Sequence, residues 1–406
     1  MKTLWIVSGG VEAVPGIKRA KELGLHVVVS DGDPEAPGFA LADDKVLAST
    51  YDVEATIKAA VRYHQTVRQI DGVICIAADV PLTVASIAAE LGLPGISLET
   101  ARLASDKLAM KRCFAKAKVP IPWFSAVKSR KHLKELVGAR GLPLVIKPVD
   151  SRGARGVLRL NRDVDLDWAF CHAREFSPTS RVMVEEYLPG PQVSTESILL
   201  DGVGFTPGFC DRNYEYLDQF APFIIENGGQ QPSILAADDR QAIKRCAEQA
   251  ALAMGIRTGV AKGDMVLTPD GPKVIEIAAR LSGGWFSTDQ VPLGTGVDFL
   301  GAAICLTLGE PVEPADLFPK FEAGVAIRYF FPDPGRVVAF ENIEEVRKRP
   351  WVHRLGFFLR PGDMVEPATN HTKRAGFVIA TGETREQAVA HALDVVETIK
   401  IETVPE

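Results

Sequence analysis

The sequence predicts an α/β protein, with α+β character in its later parts, built from two or three domains. Over the first 100 residues, short apolar runs such as "TLWIVSGG" and "LHVVVSDGD" alternate with helical patterns. That alternation is typical of a parallel sheet covered by helices. The 406 residues are 46% hydrophobic, which is enough to build sizeable cores. Toward the C-terminus, "RAGFVIATGETREQAVAHALDVVETI" predicts a strand, a turn and a helix in a mixed region.

The charge indicates the class of binding partner, and the cysteine content indicates the cellular compartment. The formal charge is -6 and the basic residues are scattered, so we expect a small-molecule partner and no nucleic acid. Six well-separated cysteines without a Cys-x-x-Cys pair indicate reduced thiols in a cytoplasmic protein. No window reaches the roughly 18 uninterrupted apolar residues of a membrane span, so we expect no membrane association.

The N-terminal sheet leaves a second class of function open. The glycines of "SGGVEAVPG" do not form G-x-G-x-x-G, so a turn into the first helix is favoured over a nicotinamide-dependent dehydrogenase. Asp31 and Asp79 each end a strand, where ligand crevices of such sheets open. Contact with a ligand and capping of a helix fit these two aspartates equally well.

Lys107 lies at an unusual helical position. Ser105 is placed as the N-cap of the helix in "SDKLAMKRCFAKAK", which puts Lys107 in its first turn. A cation there opposes the helix dipole, so the lysine is either solvated or held for an anion.

A second lysine precedes a glycine-bearing loop. Lys147 ends the apolar run of "LPLVIKPVDSRGARGVLRL", which predicts a strand, a loop and a strand. Backbone amides of such a loop can turn toward a phosphate, and arginines add positive charge. A hairpin without function is the alternative. The loop residues suited to a phosphate are Ser151, Arg152, Gly153, Arg155 and Gly156.

The segment "RVMVEEYLPGPQVSTESILL" predicts two strands with a Pro-Gly break between them. Glu185 through Leu188 precede the break, where backbone groups left without strand partners can read the edge of an adenine. An ordinary linker with solvated glutamates is the alternative.

The segment "GDMVLTPDGPKVIEIAARLSGG" predicts a hairpin whose turn sets its register. Pro272 has no N–H to close a two-residue loop, so a three-residue loop with Gly271 in a left-handed bulge is expected. Thr268 then faces Pro272. Counting back along both strands places Asp264 opposite Glu276.

The two acids on this hairpin predict a cation site. Ala278 and Arg280 are expected on the same face as Glu276, because strand side chains alternate. Paired carboxylates repel unless a proton or a cation intervenes, and Mg²⁺ takes such oxygen ligands together with phosphate and water. The alternative is a solvent-exposed polar strand face, on which the positive charge of Arg280 offsets part of the repulsion between the two acids.

The order of these features resembles the ATP-grasp superfamily, which includes D-alanine–D-alanine ligases, biotin carboxylase, purine-pathway ligases and amino-acid ligases. The resemblance is strongest over residues 101–310. It implies an ATP-grasp fold, with a Rossmann-like parallel-sheet domain before it and a mixed domain after it. The implied domains are residues 1–100, 101–318 and 319–406.

The resemblance implies a role for each matched residue. Lys107 and Lys147 look like the two lysines on the ATP phosphates, with "DSRGARGV" as the mobile loop over them. Asp264 and Glu276 match the magnesium carboxylates, and Arg280 matches the arginine that faces the reacting groups. The adenine and ribose segment corresponds to Glu185, Glu186, Tyr187, Leu188 and Gln192. The glycines after the matched arginine are Gly283 and Gly284.

Two positions depart from the family pattern. Gln192 stands where a ribose-binding Glu is usual, and it can hydrogen-bond a hydroxyl only as a neutral partner. Ala278 stands where many members carry a metal-binding Asn. A second magnesium would therefore need water or the substrate as a ligand.

The resemblance implies an ATP-dependent carboxylate–amine ligase that forms an acyl phosphate and ADP before the amine attacks. ATP and Mg²⁺ are the implied cofactors, small-molecule acids and amines are the implied substrates, and a homodimer is expected on the resemblance alone. The alternatives are a carboxylase or formyl-phosphate ligase, and a nucleotide-binding module without turnover.

Substrate contacts are expected in the insert that follows the adenine segment. Its candidates are Asp211, Arg212 and Glu226, although their charges fit a plain surface equally well. Arg328 resembles an arginine of the biotin carboxylase site. A salt-bridged structural arginine is the favoured alternative for Arg328.

Overall fold

The computed structural model describes residues 1–405 and confirms the α/β class. The strands are β1 (Thr3–Val7), β2 (His26–Asp31), β3 (Asp44–Leu47), β4 (Gly72–Cys75), β5 (Phe124–Val127), β6 (Leu144–Pro148), β7 (Leu158–Leu160), β8 (Val182–Glu186), β9 (Gln192–Leu200), β10 (Val203–Arg212), β11 (Gly229–Gln231), β12 (Gly259–Thr268), β13 (Gly271–Ala278), β14 (Gly324–Phe330), β15 (Gly335–Glu341), β16 (Val352–Phe357), β17 (Met364–Val365), β18 (Gly376–Gly382) and β19 (Lys400–Val404).

Twelve α-helices lie within the described residues. They are α1 (Val14–Glu22), α2 (Val53–Thr66), α3 (Pro81–Leu91), α4 (Leu98–Ser105), α5 (Lys107–Lys116), α6 (Arg130–Arg140), α7 (Leu166–Glu175), α8 (Ala237–Ala253), α9 (Val291–Thr295), α10 (Phe299–Thr307), α11 (Ile343–Arg347) and α12 (Arg385–Thr398). Among residues 1–405, none of the helices combines the length and the apolar character that a membrane crossing requires.

The chain forms two compact units, and each unit is assembled from separate segments. The first unit comprises Met1–Ile121, Ser194–Phe209 and Ala236–Phe321. The second unit comprises Pro122–Val193, Cys210–Leu235 and Glu322–Glu406. The domain boundaries implied by the family resemblance stay a prediction.

The N-terminal sheet of the first unit is parallel, as predicted, with strand order β3-β2-β1-β4. Leu4 pairs with Val27 on one side and with Gly72 on the other. All five residues of β1 are buried. Helices cover both faces of a parallel sheet, which is why its strands are continuous apolar runs without alternation.

In the first unit, β13, β12, β9 and β10 are hydrogen-bonded neighbours in that order, as part of an eight-stranded sheet. Helix α8 packs against β12 and β13. The predicted apolar stripe of α8 is buried, including Ile243, Ala247 and Ala250. This packing confirms the helix prediction and holds the hairpin of β12 and β13 against a rigid support.

The second unit contains an antiparallel sheet of order β5-β8-β6-β7, whose core includes residues of α6 and α7. The part of the eight-stranded sheet in this unit runs from the last residues of β10 through β11, β14 and β18 to β16. Ala388 and Ala392 of α12 share a core with Ala326 and Val378 of that sheet. The strand, turn and helix predicted near the C-terminus are therefore confirmed as β18 and α12.

Candidate functional site

The predicted site residues fall into two groups, one in each compact unit. The first unit holds Lys107, Asp264, Glu276, Arg280, Gly283 and Gly284. The second unit holds Lys147, Ser151, Gly153, Arg155, Gly156, Glu185, Glu186, Tyr187, Leu188, Gln192, Asp211, Arg212, Glu226 and Arg328.

The predicted cross-strand pair of carboxylates in the first unit is confirmed, because Asp264 lies opposite Glu276. The predicted three-residue turn is wrong. Thr268 pairs with Gly271, so two residues connect the strands. The register then shifts by one residue at a bulge that leaves Ile275 between two registered pairs. The extra residue that brings the acids together therefore lies in β13 and not in the turn.

Lys107 lies at the first position of α5, as predicted, but its cap differs from the prediction. Ser105 closes α4, and Asp106 caps α5 by accepting a hydrogen bond from Ala109 N at 2.8 Å. The ammonium of Lys107 lies 3.0 Å from Glu276 Oε1, with 13% of its side chain exposed. The first residue of α5 therefore places its ammonium against Glu276, one of the paired acids.

Each of the two acids contacts a lysine. Lys262, which the sequence reasoning did not single out, contacts Asp264 from two residues earlier on β12. Burial alone lowers the pKa of Lys107, but the charges of Glu276 and Asp79 outweigh burial and raise it. The pair of carboxylates is thus held as a compact, charge-compensated group.

Arg280 lies beyond the end of the hairpin. Because β13 ends at Ala278, Arg280 lies two residues past the strand. The charge of Glu276 still acts on its guanidinium, and the predicted shared face stays a prediction. Leu281 forms a parallel bridge with Ile76, just after β4. Arg280 Nε lies 3.4 Å from Asp79 Oδ1. The carboxyl end of the N-terminal sheet therefore fixes this arginine, and Asp79 contacts a side chain of the candidate site.

Two further carboxylates contact the glycine-containing segment after Arg280. Gly284 N donates to Glu12 Oε1 at 3.0 Å. Ser282 N donates to Glu196 Oε1 at 3.1 Å, and the Ser282 hydroxyl donates to the same carboxylate. Glu196 is fully buried, and burial raises its pKa to about 7. An acid inside the apolar strand "STESILL" was the available signal for Glu196.

In the second unit, the predicted phosphate lysine and adenine-reading glutamate contact each other. Lys147 on β6 and Glu185 on β8 form an ion pair, with 5% of each side chain exposed. Trp123 N donates to Glu186 Oε2 at 3.3 Å. A buried pair of this kind requires close geometry to offset the desolvation of both charges. Lys147 and Glu185, predicted from separate motifs, therefore belong to one local site.

The glycine-bearing loop has the backbone conformation that its sequence predicts. Gly153 and Gly156 have φ of 61° and 72°, and Ala154 between them has φ of 59°. Gly153 O accepts a hydrogen bond from His371 N at 3.0 Å. The two glycines supply the left-handed conformations that this tight loop requires, and a turn of this kind can present backbone amides to an anion.

The three predicted substrate residues of the insert all form ion pairs with arginines or acids. Arg212 Nε donates to Glu226 Oε2 at 2.8 Å. Asp211 Oδ2 accepts from Arg385 Nη1 at 2.8 Å. Arg374 contacts the Glu226 backbone and lies 3.7 Å over the Tyr329 ring. These charges form an organised network and are not a plain solvated surface.

Arg328 differs from the structural arginine that the sequence favoured. It is 3% exposed, and its guanidinium donates to Ile327 O at 2.8 Å, Gly229 O at 3.2 Å and Gln230 Oε1 at 2.7 Å. Within residues 1–405 it forms no ion pair, and its buried Nε has no hydrogen-bond partner. Burial lowers its pKa. The salt-bridge interpretation is therefore wrong, because the hydrogen-bond acceptors of this buried guanidinium are neutral.

The donor set of the hairpin fits magnesium. Over residues 1–405, no cluster of three or more His, Cys, Asp or Glu side chains is arranged to hold a metal ion. Asp264 and Glu276 supply hard oxygen ligands from opposite strands. Magnesium in nucleotide sites commonly takes one or two carboxylates and completes its shell with phosphate and water.

Three family models match the chain. They are described as an ATP-grasp N-terminal domain at residues 17–95, an ATP-grasp domain at residues 104–284 and L-amino acid ligase C-terminal domain 2 at residues 328–404.

Several known proteins are similar to this chain. A D-alanine–D-alanine ligase of Gloeobacter violaceus is 30% identical over 52% of this chain and 70% of the ligase. The uncharacterized protein y4rH of Sinorhizobium fredii is 26% identical over 94% of this chain and 79% of that protein. The structure of an L-amino acid ligase from Bacillus licheniformis matches with a TM-score of 0.84 and 23% identity, over 100% of this chain and 99% of that one. The structural match shows the fold.

Proposed function

Because the chain belongs to the ATP-grasp superfamily, we propose that it is an ATP-dependent ligase that joins a small-molecule carboxylate to an amine. The observation that carries this proposal is the pairing of Asp264 with Glu276 while Lys107 contacts Glu276. Two carboxylates beside a lysine suit the phosphates of a metal-bound nucleotide. The similarity of residues 328–404 to an L-amino acid ligase domain makes amino acids the first substrates to test.

The candidate residues have different roles in phosphoryl transfer. Lys107 and Lys147 balance the charge of the triphosphate, and the amides around Gly153 and Gly156 hold its oxygens. When Mg²⁺ is bound by Asp264 and Glu276, it supplies further positive charge to the phosphates. The remaining loop contacts are assigned to Ser151 and Arg155.

The reaction needs no nucleophile from the protein. A substrate carboxylate oxygen attacks the γ-phosphorus, the bond to the β-phosphate oxygen breaks, and ADP leaves. The amine then attacks the acyl carbon, releases phosphate and loses a proton. Arg280 stabilises the negative charge that develops on the acyl group, because a fixed cation acts more strongly in a site that excludes water.

Nucleotide and substrate recognition are assigned to the remaining predicted residues. The adenine and ribose positions are Glu185, Glu186, Tyr187, Leu188 and Gln192. The substrate positions are Asp211, Arg212, Glu226, Gly283, Gly284 and Arg328. The six free thiols fit a reducing compartment, and we keep the cytoplasm and a homodimer as parts of the proposal.

ADP release from a panel of acid and amine pairs tests the function. The ligase requires both substrates, so ADP should form with a matched pair and not with either member alone. ADP formed with bicarbonate alone would replace the proposal with a carboxylase. Tight ATP binding without ADP from any pair would replace it with a nucleotide-binding module.

Replacing Arg328 by Met should raise KM for the substrate that carries an unreacted carboxylate by about 100-fold, because a buried charge-assisted pair is worth about 2–5 kcal/mol. The variant should also lose the preference for that carboxylate over its amide. Arg349→Met is the matched control, since Arg349 already pairs with Asp394 and Glu345 in the same unit. An unchanged KM in R328M would remove Arg328 from the substrate site.

A further inference from the structure

Lys262 lies on β12, beside the position of the hairpin at which many family members carry a metal ligand. It faces Ala278 across β12 and β13. Ala278 is buried and offers only a methyl group, whereas many family members carry an asparagine there. Because the side chain of Ala278 has no polar atom, Lys262 supplies the polar group of this cross-strand pair.

The ammonium of Lys262 is directed at the carboxylates. Its side chain is 16% exposed and contacts Asp264, two residues along the same strand face. A largely buried ammonium requires a carboxylate to offset its lost hydration. The positive charge of Lys262 also acts on Glu196, the buried acid beside Ser282. Lys262 is therefore held among acids and not directed into solvent.

The ligand count and the charges both oppose a second metal ion here. Two magnesium ions would share Asp264 and Glu276, and residues 1–405 contain no larger cluster of metal-binding side chains. Lys262 and Lys107 already contact these acids. Two unit charges 4 Å apart interact by about 4 kcal/mol at an effective dielectric constant near 20, and a divalent ion doubles that repulsion.

We propose that Lys262 takes the place of a second magnesium ion, so that the chain binds one divalent ion with each nucleotide. The ammonium supplies the other positive charge beside Asp264. This inference rests on the proposed nucleotide-dependent function and extends it to the number of metal ions. It also assigns a reason to Ala278, because an asparagine oxygen would serve an ion that Lys262 replaces.

Counting bound Mn²⁺ by electron paramagnetic resonance, with a nonhydrolysable ATP analogue present, tests this assignment without turnover. The unaltered chain should hold one Mn²⁺ for each bound analogue. The double variant Lys262→Met, Ala278→Asn removes the ammonium and restores a ligand, so it should hold two. Lys273→Met, on the same hairpin, is the matched control and should hold one.

Two Mn²⁺ ions on the unaltered chain would overturn the assignment of Lys262 and leave the proposed function intact. One Mn²⁺ on the double variant with bound analogue would also overturn it. Binding of the analogue is followed separately by calorimetry, which reports whether each variant is folded. An unaltered chain that binds no analogue would overturn the proposed function together with this inference.

Discussion

Replacing Glu276 by Gln should lower kcat/KM for ADP formation by about 1,000-fold, because preorganised electrostatic contacts at developing charge have effects of about 10²–10³ each. Gln keeps the shape of the side chain but removes the negative charge that faces Asp264 and contacts Lys107. The metal and the lysine would then face a neutral amide oxygen in place of a charged carboxylate. The dependence on Mg²⁺ should shift to higher concentrations in the same variant. Steady-state ADP release at a series of Mg²⁺ concentrations measures both effects.

Asp270→Asn is the matched control for Glu276→Gln. Asp270 is an exposed acid in the turn of the same hairpin, and its loss should change activity less than about twofold. If Glu276→Gln stayed within tenfold of the unaltered chain, the hairpin acids would not be the metal site.

Replacing Glu196 by Gln should remove a pH-dependent contribution of about 3 kcal/mol to the free energy of unfolding. Folding raises the pKa of this buried carboxyl from 4.5 to about 7. Between these values the folded chain holds the proton while the unfolded chain has released it, so protonation favours folding. The contribution of Glu196 is therefore present below pH 4.5 and is lost as pH rises to about 7.

Urea unfolding of both chains at pH 5 and pH 8 measures this difference. The stability of the Gln variant relative to the unaltered chain should rise by about 2.5 kcal/mol between these pH values. Glu54→Gln on α2 is the control, because Glu54 is 80% exposed. Parallel pH profiles for the unaltered chain and E196Q would show that Glu196 is ionised throughout.

The sequence predicted the parallel N-terminal sheet and the main hairpin because local patterns determine them. The apolar runs of β1 and β2 are buried in the sheet, and a continuous run of that kind has few alternatives. Asp264 and Glu276 were paired correctly although the turn was wrong. The bulge at Ile275 supplies the same one-residue shift as the predicted turn. A bulge of this kind has no reliable local signal, because packing on the strand neighbours determines it.

Residues that act through distant contacts could not be found in the same way. Glu12 reaches Gly284 over 272 positions of the chain, and Glu196 reaches Ser282 over 86. A sequence shows that these acids are unusual but does not name their partners. The sequence likewise does not name the partners of Arg328. Its guanidinium donates to neutral oxygens of Gly229 and Gln230 on β11 and of Ile327 on its own strand.

The interleaving of the two compact units has a consequence for biosynthesis. The first unit needs residues up to Phe321 and the second needs residues from Glu322 onward, so neither is complete when its first segment leaves the ribosome. At about 5–20 residues per second, the 200 residues between Ile121 and Phe321 take about 10–40 s to make. The nascent N-terminal sheet therefore lacks the later segments of its unit, including Leu281 that bridges Ile76, for much of this interval, which is when a chaperone would be needed.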